Sequence, residues 1–340
     1  PTRLTGDPGL TAALRVDTRS DAPTHISNLE IESHANVLHH ASGTLDVDQC
    51  RFTTRSALDF VAVVSLEANT APHPDGRNDA VSLRRSQFEV AYVGDTPEGT
   101  PPDVDVILFA SGARYREIQI TQCTITNAVP NGIANGIESR STTAAIRLTG
   151  NRINCLGMAV ALPNHRGSLM IQSNTICSAT SAIGASTMTQ EPGRIADNKL
   201  IVHPRRIPVF PLFLQDYIAG RISFCVSLGG TSAGVTAGFF HQPFVGEASH
   251  FVIEGNVLRG TPDFGIALVD SPEPENFGPP TPNTSHDNTI IRNDFRDLRA
   301  TWDVGLGQDT WDNRVYDNVG LDRLFLQAGT EDRNAVQPVR

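Results

Sequence analysis

Lysine is nearly absent from this 340-residue chain: Lys199 stands alone among 27 basic residues, and 37 acidic residues leave a formal charge of −10. A polyanion such as nucleic acid is repelled over most of such a surface, and no basic stripe offsets that repulsion. Nucleic acid is therefore not an expected partner. Aromatic residues make up only 6% of the chain against 39% apolar residues overall, which suits a thin core of Val, Ile, Leu and Ala. No apolar run approaches the roughly 18 residues that a spanning helix needs, so no membrane span is expected. No charged-then-apolar leader opens the chain, so no signal peptide is expected in this form.

The five cysteines, at 50, 123, 155, 177 and 225, are odd in number and form no CxxC pair. That argues against a disulfide framework and against a zinc site. Buried free thiols serving as small apolar residues are the expected reading. Free thiols are unusual in exported proteins and pull against an exported location. The run Gly229-Gly230-Thr231-Ser232-Ala233-Gly234 lacks the Gly-Lys-Ser/Thr of a phosphate loop, which removes nucleotide binding.

What the chain does have is an eight-residue pattern that returns nine times: apolar, any, apolar, any, any, small polar, any, apolar. The copies cover 45–52, 81–88, 118–125, 146–153, 169–176, 193–200, 251–258, 288–295 and 313–320. Three of them, at 193, 288 and 313, are degraded at an end. The small polar position is Cys50, Ser86, Cys123, Asn151, Asn174, Asn198, Asn256, Asn293 and Asn318 in turn. The shortest spacings sit near 24 residues, the period of a solenoid coil.

Around the third position the apolar residues alternate with period two, which is strand spacing. A second apolar run follows six to ten residues later, as in 60–64, 158–162 and 264–268. Two short strands per coil, Gly-rich corners and no long amphipathic window predict a parallel β-helix. The recurring Asn then has a physical role: its carboxamide satisfies backbone groups buried at an inward corner, and it tolerates left-handed backbone there. Stacked at about 4.8 Å, successive carboxamides can bond along the axis. Exposed turns are the blander explanation of the Asn, but they would not require apolar residues at fixed positions on both sides.

The segments Ile253-Glu254-Gly255-Asn256-Val257-Leu258 and Ile290-Ile291-Arg292-Asn293-Asp294-Phe295 resemble the coil repeats of the right-handed parallel β-helix, pectate-lyase-like superfamily. The resemblance covers about residues 26–328. It implies an all-β, right-handed parallel β-helix of about 10–12 coils in a single domain, with residues 1–25 as a lead-in and 329–340 as a polar tail. It is specific for fold and weak for function, because the superfamily includes lyases, epimerases, glycoside hydrolases, phage tailspikes and noncatalytic surface proteins. The Asp-Pro-His-Asp of mannuronan epimerases is absent. So are the Asn-Thr-Asp, Gly-His-Gly and Arg-Ile-Lys of polygalacturonases and the Arg-x-Pro-x-x-Arg of pectate lyases.

Function on a solenoid concentrates in insertions, since the coils are committed to stacking. Five stretches qualify: 67–80, 91–103, 203–220, 229–249 and 271–287. The first and last leave equivalent places in the coil and are expected to share an edge. A β-elimination needs a base and a cation to neutralise a carboxylate, and the local supply is His165, Arg166, Lys199, His203, Arg205 and Arg206, with Asp216 beside them. Against that stands their role as solvated corner residues. Glycoside hydrolysis needs two facing carboxylates, for which Asp263 with Asp303 and Asp270 with Asp309 are geometric candidates, although acids at strand ends are ordinary corner formers. Asp303, Asp309, Asp312 and Asp317 leave calcium open without the ligand order of a known calcium motif, so no cofactor is expected.

These observations lead to an expected noncatalytic scaffold, extracellular or at the cell surface, whose insertions contact a polysaccharide or a surface protein. Open coil ends expose backbone groups that template more strands, so a homo-oligomer, end-to-end assembly or fibre section is expected. The alternative is a polysaccharide-active lyase, epimerase or hydrolase working in a groove along the stacked strands.

Overall fold

The computed structural model describes residues 2–5, 12–17, 23–55, 61–67, 78–91, 103–110, 112–129, 133–139, 142–187, 192–204, 223–228, 247–268, 284–307 and 310–337. Among them there is no helix, and the strands form three long sheets. Sheet A has nine strands, from Thr2–Thr5 to Val257–Gly260. Sheet C has eleven, from Thr24–Ser27 to Ala335–Val336. Sheet B has eleven on its main path, from Ala12–Asp17 to Leu324–Leu326, and three short strands beside it. Each main-path strand pairs in parallel with the strand of the same sheet one coil on, three places along the chain as far as Ile183–Thr187 and two to four places beyond it, so the chain winds through C, A and B once per coil. This is an all-β parallel β-helix solenoid. One exception to the parallel pattern is the antiparallel contact Thr187↔Glu247.

Each coil therefore has three strands where the sequence pattern suggested two. The eight-residue repeat is the reason. Its first half, such as Leu45–Asp48, lies in sheet C, and its second half, such as Arg51–Thr54, lies in sheet A. Between them sits one residue with left-handed backbone: Gln49, Arg85, Gln122, Gly150, Ser173, Asp197, Gly255, Arg292 and Asp317, with φ between 48° and 66°. A single such residue turns the chain sharply without breaking the apolar phase, so two strands read as one in the sequence. The left-handed residue precedes the Asn and is not the Asn itself, which corrects the expectation. The Asn backbone stays ordinary because its side chain must point inward.

Inside, the apolar positions of all three sheets form one continuous core running from Val16 to Leu321. In sheet C, Leu45, Val81, Ile118, Ile146 and Leu169 fall in one register row. At the next coil this row holds Gly193, and then Phe251. A Cβ on Gly193 would lie 2.1 Å from the Phe251 ring, so the glycine makes room for the phenyl group. The degraded sixth copy of the repeat is thus a packing solution. Pairing also runs past both expected limits of the coil region. Thr2–Thr5 pairs with Leu29–Ser33, Ala12–Asp17 with Asn36–Ser42, and Ala335–Val336 with Arg314–Tyr316.

Candidate functional site

The C–A corner is fully committed to structure. Asn151, Asn174, Asn198, Asn256, Asn293 and Asn318 stack in a column that ends at Asn318, whose Nδ2 donates to Ile290 O and Tyr316 O, and each carboxamide before it makes the same three bonds. Its Oδ1 accepts the backbone N–H of the residue one coil earlier, at 2.8–3.0 Å. Its Nδ2 donates to a main-chain carbonyl of the coil before, such as Ile120 for Asn151 and Ile171 for Asn198, and to the Oδ1 of the next Asn. Cys123 continues the column with chemistry of its own. Its thiol donates to Leu83 O at 3.4 Å, the position that Ile120 O occupies for Asn151. Cys50 does the same to Ile26 O at 3.5 Å. Burial pushes the Cys123 thiol up to about 11 and raises Cys155 and Cys225 further, so these sulfurs are inert. All five cysteines are free.

A second column was not foreseen. Asn288 and Asn313, which occupy the first position of the last two degraded repeats, stack with Asn334 at the B–C corner. Asn288 Oδ1 accepts the Phe251 amide at 2.8 Å, and Nδ2 of Asn288 and Asn313 each donate to the next carboxamide at 2.9 Å. Left-handed His250, Asp287 and Asp312 precede Phe251, Asn288 and Asn313 in turn. The signal in the sequence is an Asn at spacings of 25 and 21 residues.

The residues named from sequence lie as follows. His165 ends the sheet B strand Val160–His165 and is fully buried. Burial lowers its imidazole to about 4 against a smaller upward pull from the surrounding main chain, and neither ring nitrogen has a hydrogen-bond partner among the described residues. Arg166, next in the chain, is exposed, and so are Lys199 and His203. Lys199 begins the sheet A strand Lys199–Val202, on a different wall from His165. His203 follows that strand, its amide bonded to Ser178 O. The structure does not bring His165 and Lys199 together. Arg205, Arg206, Asp216, Asp270 and Asp309 lie outside the described residues. Asp263 accepts the amide and hydroxyl of Ser223 at 2.8 and 2.9 Å. Asp303 is buried against Arg323 at 2.6 Å and takes the amides of Asp322 and Arg323. Each carboxylate of that pair thus has partners of its own. Asp312 and Asp317 stand exposed at opposite corners of one coil. Among the described residues no cluster of three or more His, Cys, Asp or Glu has the geometry to hold a metal, and no helix is long and apolar enough to cross a membrane.

Sheet C carries its charges in pairs across coils. Arg84 grips Asp46 through two nitrogens, Arg85 pairs with Asp48, Arg147 with Glu117, and Arg194 and Arg292 share Glu254. These exposed pairs contribute little stability each, but they neutralise the wall. Beside Asp294, Arg296 and Arg259 hold its carboxyl down at about 2.

Sheet B differs. Every stretch outside the described residues that interrupts the coil leaves it at one of the two corners bordering sheet B, and none interrupts the C–A corner. Stretches 92–102 and 205–222 lie between sheets A and B; 68–77, 229–246 and 269–283 lie between B and C. The first and last of the five expected insertions thus do share a corner. One register row of sheet B runs His39, Ser65, Leu108, Glu138, Ala161, Gly184, Ser227, Ala267, Gly305 and Phe325. It alternates with inward rows such as Val160, Ile183, Val226, Ile266 and Val304, so it faces away from the axis. Five successive members, Ala161 to Gly305, are small, and of these only Ala161 is partly exposed, Gly184, Ser227, Ala267 and Gly305 being buried. At one end lie the aromatics Phe264, Trp302 and Phe325, with ring centroids 5.6–6.2 Å apart. At the other end His39 Nε2 lies 2.6 Å from Glu67 Oε1. Beneath it, buried His40 meets the Tyr115 hydroxyl at 3.0 Å, and burial lowers His40 to about 4. No protein-family model matches this chain, and no curated protein matches it either.

Proposed function

We propose that this protein is a noncatalytic, surface-exposed β-helical scaffold of the pectate-lyase-like kind, which binds a glycan or protein partner along the outer row of sheet B. The supporting observation is the placement of its insertions. Extra chain length between strands is confined to the two edges of one sheet, while the opposite corner is held by a carboxamide column of constant spacing. On that row His39, Leu108, Glu138 and Ala161 keep partial exposure between the two insertion-bearing edges, and they are the part of it on which a partner can lie. Charges on sheet C cancel in pairs and offer no comparable row.

The test is a binding screen against uronate and neutral polysaccharides with the wild type and Ala161→Arg, which fills that row with a long cation. Loss of binding at an unchanged urea midpoint supports the reading. Appearance of unsaturated products absorbing in the ultraviolet overturns it in favour of a lyase. That second reading has its own support in the His39–Glu67 contact, where a carboxylate lies against an imidazole on the same row. If His39→Ala abolishes product formation, the enzyme reading stands.

A further inference from the structure

Five successive strands of sheet A, Thr124–Asn127, Arg152–Cys155, Thr175–Ser178, Lys199–Val202 and Val257–Gly260, contain no acidic residue in a chain whose formal charge is −10. Gln87, Thr124, Arg152, Thr175 and Lys199 are successive register partners on this wall. Their row alternates with the buried Ile125, Ile153, Ile176 and Leu200, so it faces away from the axis, and all five members are exposed. Exposed Asn154 stands in the neighbouring outward row. Arg152 and Lys199 have no ion pair among the described residues. The cations to either side do: Arg51 lies 3.4 Å from Glu89, and Arg259 lies 3.0 Å from Asp297. Asp197, two residues before Lys199, accepts a bond from Gln172 Nε2 at 3.2 Å instead. Two coils separate Arg152 from Lys199, which is roughly 10 Å along the axis at about 4.8 Å per coil.

We propose that this row of sheet A binds an acidic polysaccharide laid along the helix axis and charged on every second sugar, with Arg152 and Lys199 each meeting one anionic group and Thr175 meeting the hydroxyls between them. Charge complementarity carries the assignment. Two cations without partners of their own, on a wall free of carboxylates, attract an anion where the remaining acidic surface repels it, and so fix where the ligand lies. The stacked strands hold the two cations at a set interval. A pyranose ring is about as long as one coil is deep, so alternate sugars fall opposite Arg152 and Lys199. The exposed hydroxyls and amides of Thr124, Thr175, Gln87 and Asn154 suit a chain rich in hydroxyl groups, whereas an acidic peptide would leave most of them to water. This wall is separate from the outer row of sheet B, and the assignment stands independently of that reading.

Lys199 is the only lysine in the chain, so acylation of its amine by an N-hydroxysuccinimide ester reports on this row directly. A hyaluronan oligosaccharide, which carries one carboxylate per disaccharide, is titrated in before the reagent, and modification of Lys199 is read by peptide mass. The expected result is saturable protection, weakened about five-fold by Arg152→Gln as for the loss of one exposed ion pair, largely kept in Arg152→Lys, and unchanged by Arg51→Gln. Carboxyl-reduced hyaluronan, the same backbone without charge, is expected to give no protection. Equal protection in the wild type and Arg152→Gln, or an equal loss in Arg51→Gln, would mean diffuse attraction and would overturn the proposal. So would protection by the carboxyl-reduced chain, the absence of any protection, or protection by a glutamate peptide or a polygalacturonate oligomer but not by hyaluronan. Hyaluronan binding lost in Ala161→Arg and kept in Arg152→Gln would remove this inference and leave the sheet B reading in place.

Discussion

Asn198 Nδ2 donates to Asn256 Oδ1 at 2.9 Å across 58 residues of chain, the same contact that joins Asn151 to Asn174 across 23. The column is indifferent to how much chain is inserted elsewhere in the coil, because the insertion leaves at the far side. Its stability consequences are local.

Removing one rung should therefore be costly. Asn198→Leu strands the Asn174 amide and the Ile171 carbonyl without partners in a dry interior. We expect a loss of about 2–4 kcal/mol in urea unfolding. Cys123→Asn should hold or raise the midpoint, because a carboxamide there extends the column toward Ser86. Cys123→Val should lower it by about 1–2 kcal/mol by deleting the donor to Leu83 O. A Cys123→Asn midpoint well below that of Cys123→Val would show that the slot does not have carboxamide geometry.

Thiol labelling should divide the cysteines. Cys177 is the one not buried, so a thiol reagent at neutral pH is expected to modify it first and the other four only in denaturant. Rapid modification of Cys155 or Cys225 in the native protein would contradict their burial.

The pH dependence follows from His40 and His165, both lowered to about 4. Above pH 6.5 each is neutral in the folded and unfolded chain alike. As pH falls from 6.5 toward 4, the unfolded chain takes up protons that the folded one refuses, so stability is lost through that window. The full effect is about 3 kcal/mol for each histidine. His165→Leu should shrink the loss of melting temperature between pH 7 and pH 4.5. An unchanged pH profile would mean that His165 is open to water.

Packing between Gly193 and Phe251 gives a coupled pair. Gly193→Ala drives a methyl into the Phe251 ring and should cost about 1–3 kcal/mol, and Phe251→Leu should recover part of that cost in the double variant. Additive losses would place the ring elsewhere.

Much of this is legible in the sequence. The nine repeats place the column at the C–A corner because a buried corner needs a compact group with both donor and acceptor, and few side chains qualify. The same reasoning covers Cys50 and Cys123. It stopped short at Asn288 and Asn313, whose polar side chains replace an apolar residue and so read as decay of the repeat. It also merged two strands into one, since a single left-handed residue such as Gln49 leaves no mark on hydropathy.

The candidate site was less legible. His165 beside Arg166 reads as a reactive pair in sequence, but strand alternation buries one and exposes the other. Register decided which residues met: His39 with Glu67 and His286 with Trp311 are brought together by stacking distant coils.

Period and residue type thus determined by themselves that the chain winds into stacked parallel strands around an apolar axis, because burial and backbone hydrogen bonding repeat with every coil. Which wall bears every insertion, which rings stack and which histidines are sealed from water were decided only by the tertiary structure. Those depend on the rotation accumulated between corners, and a linear pattern does not record it.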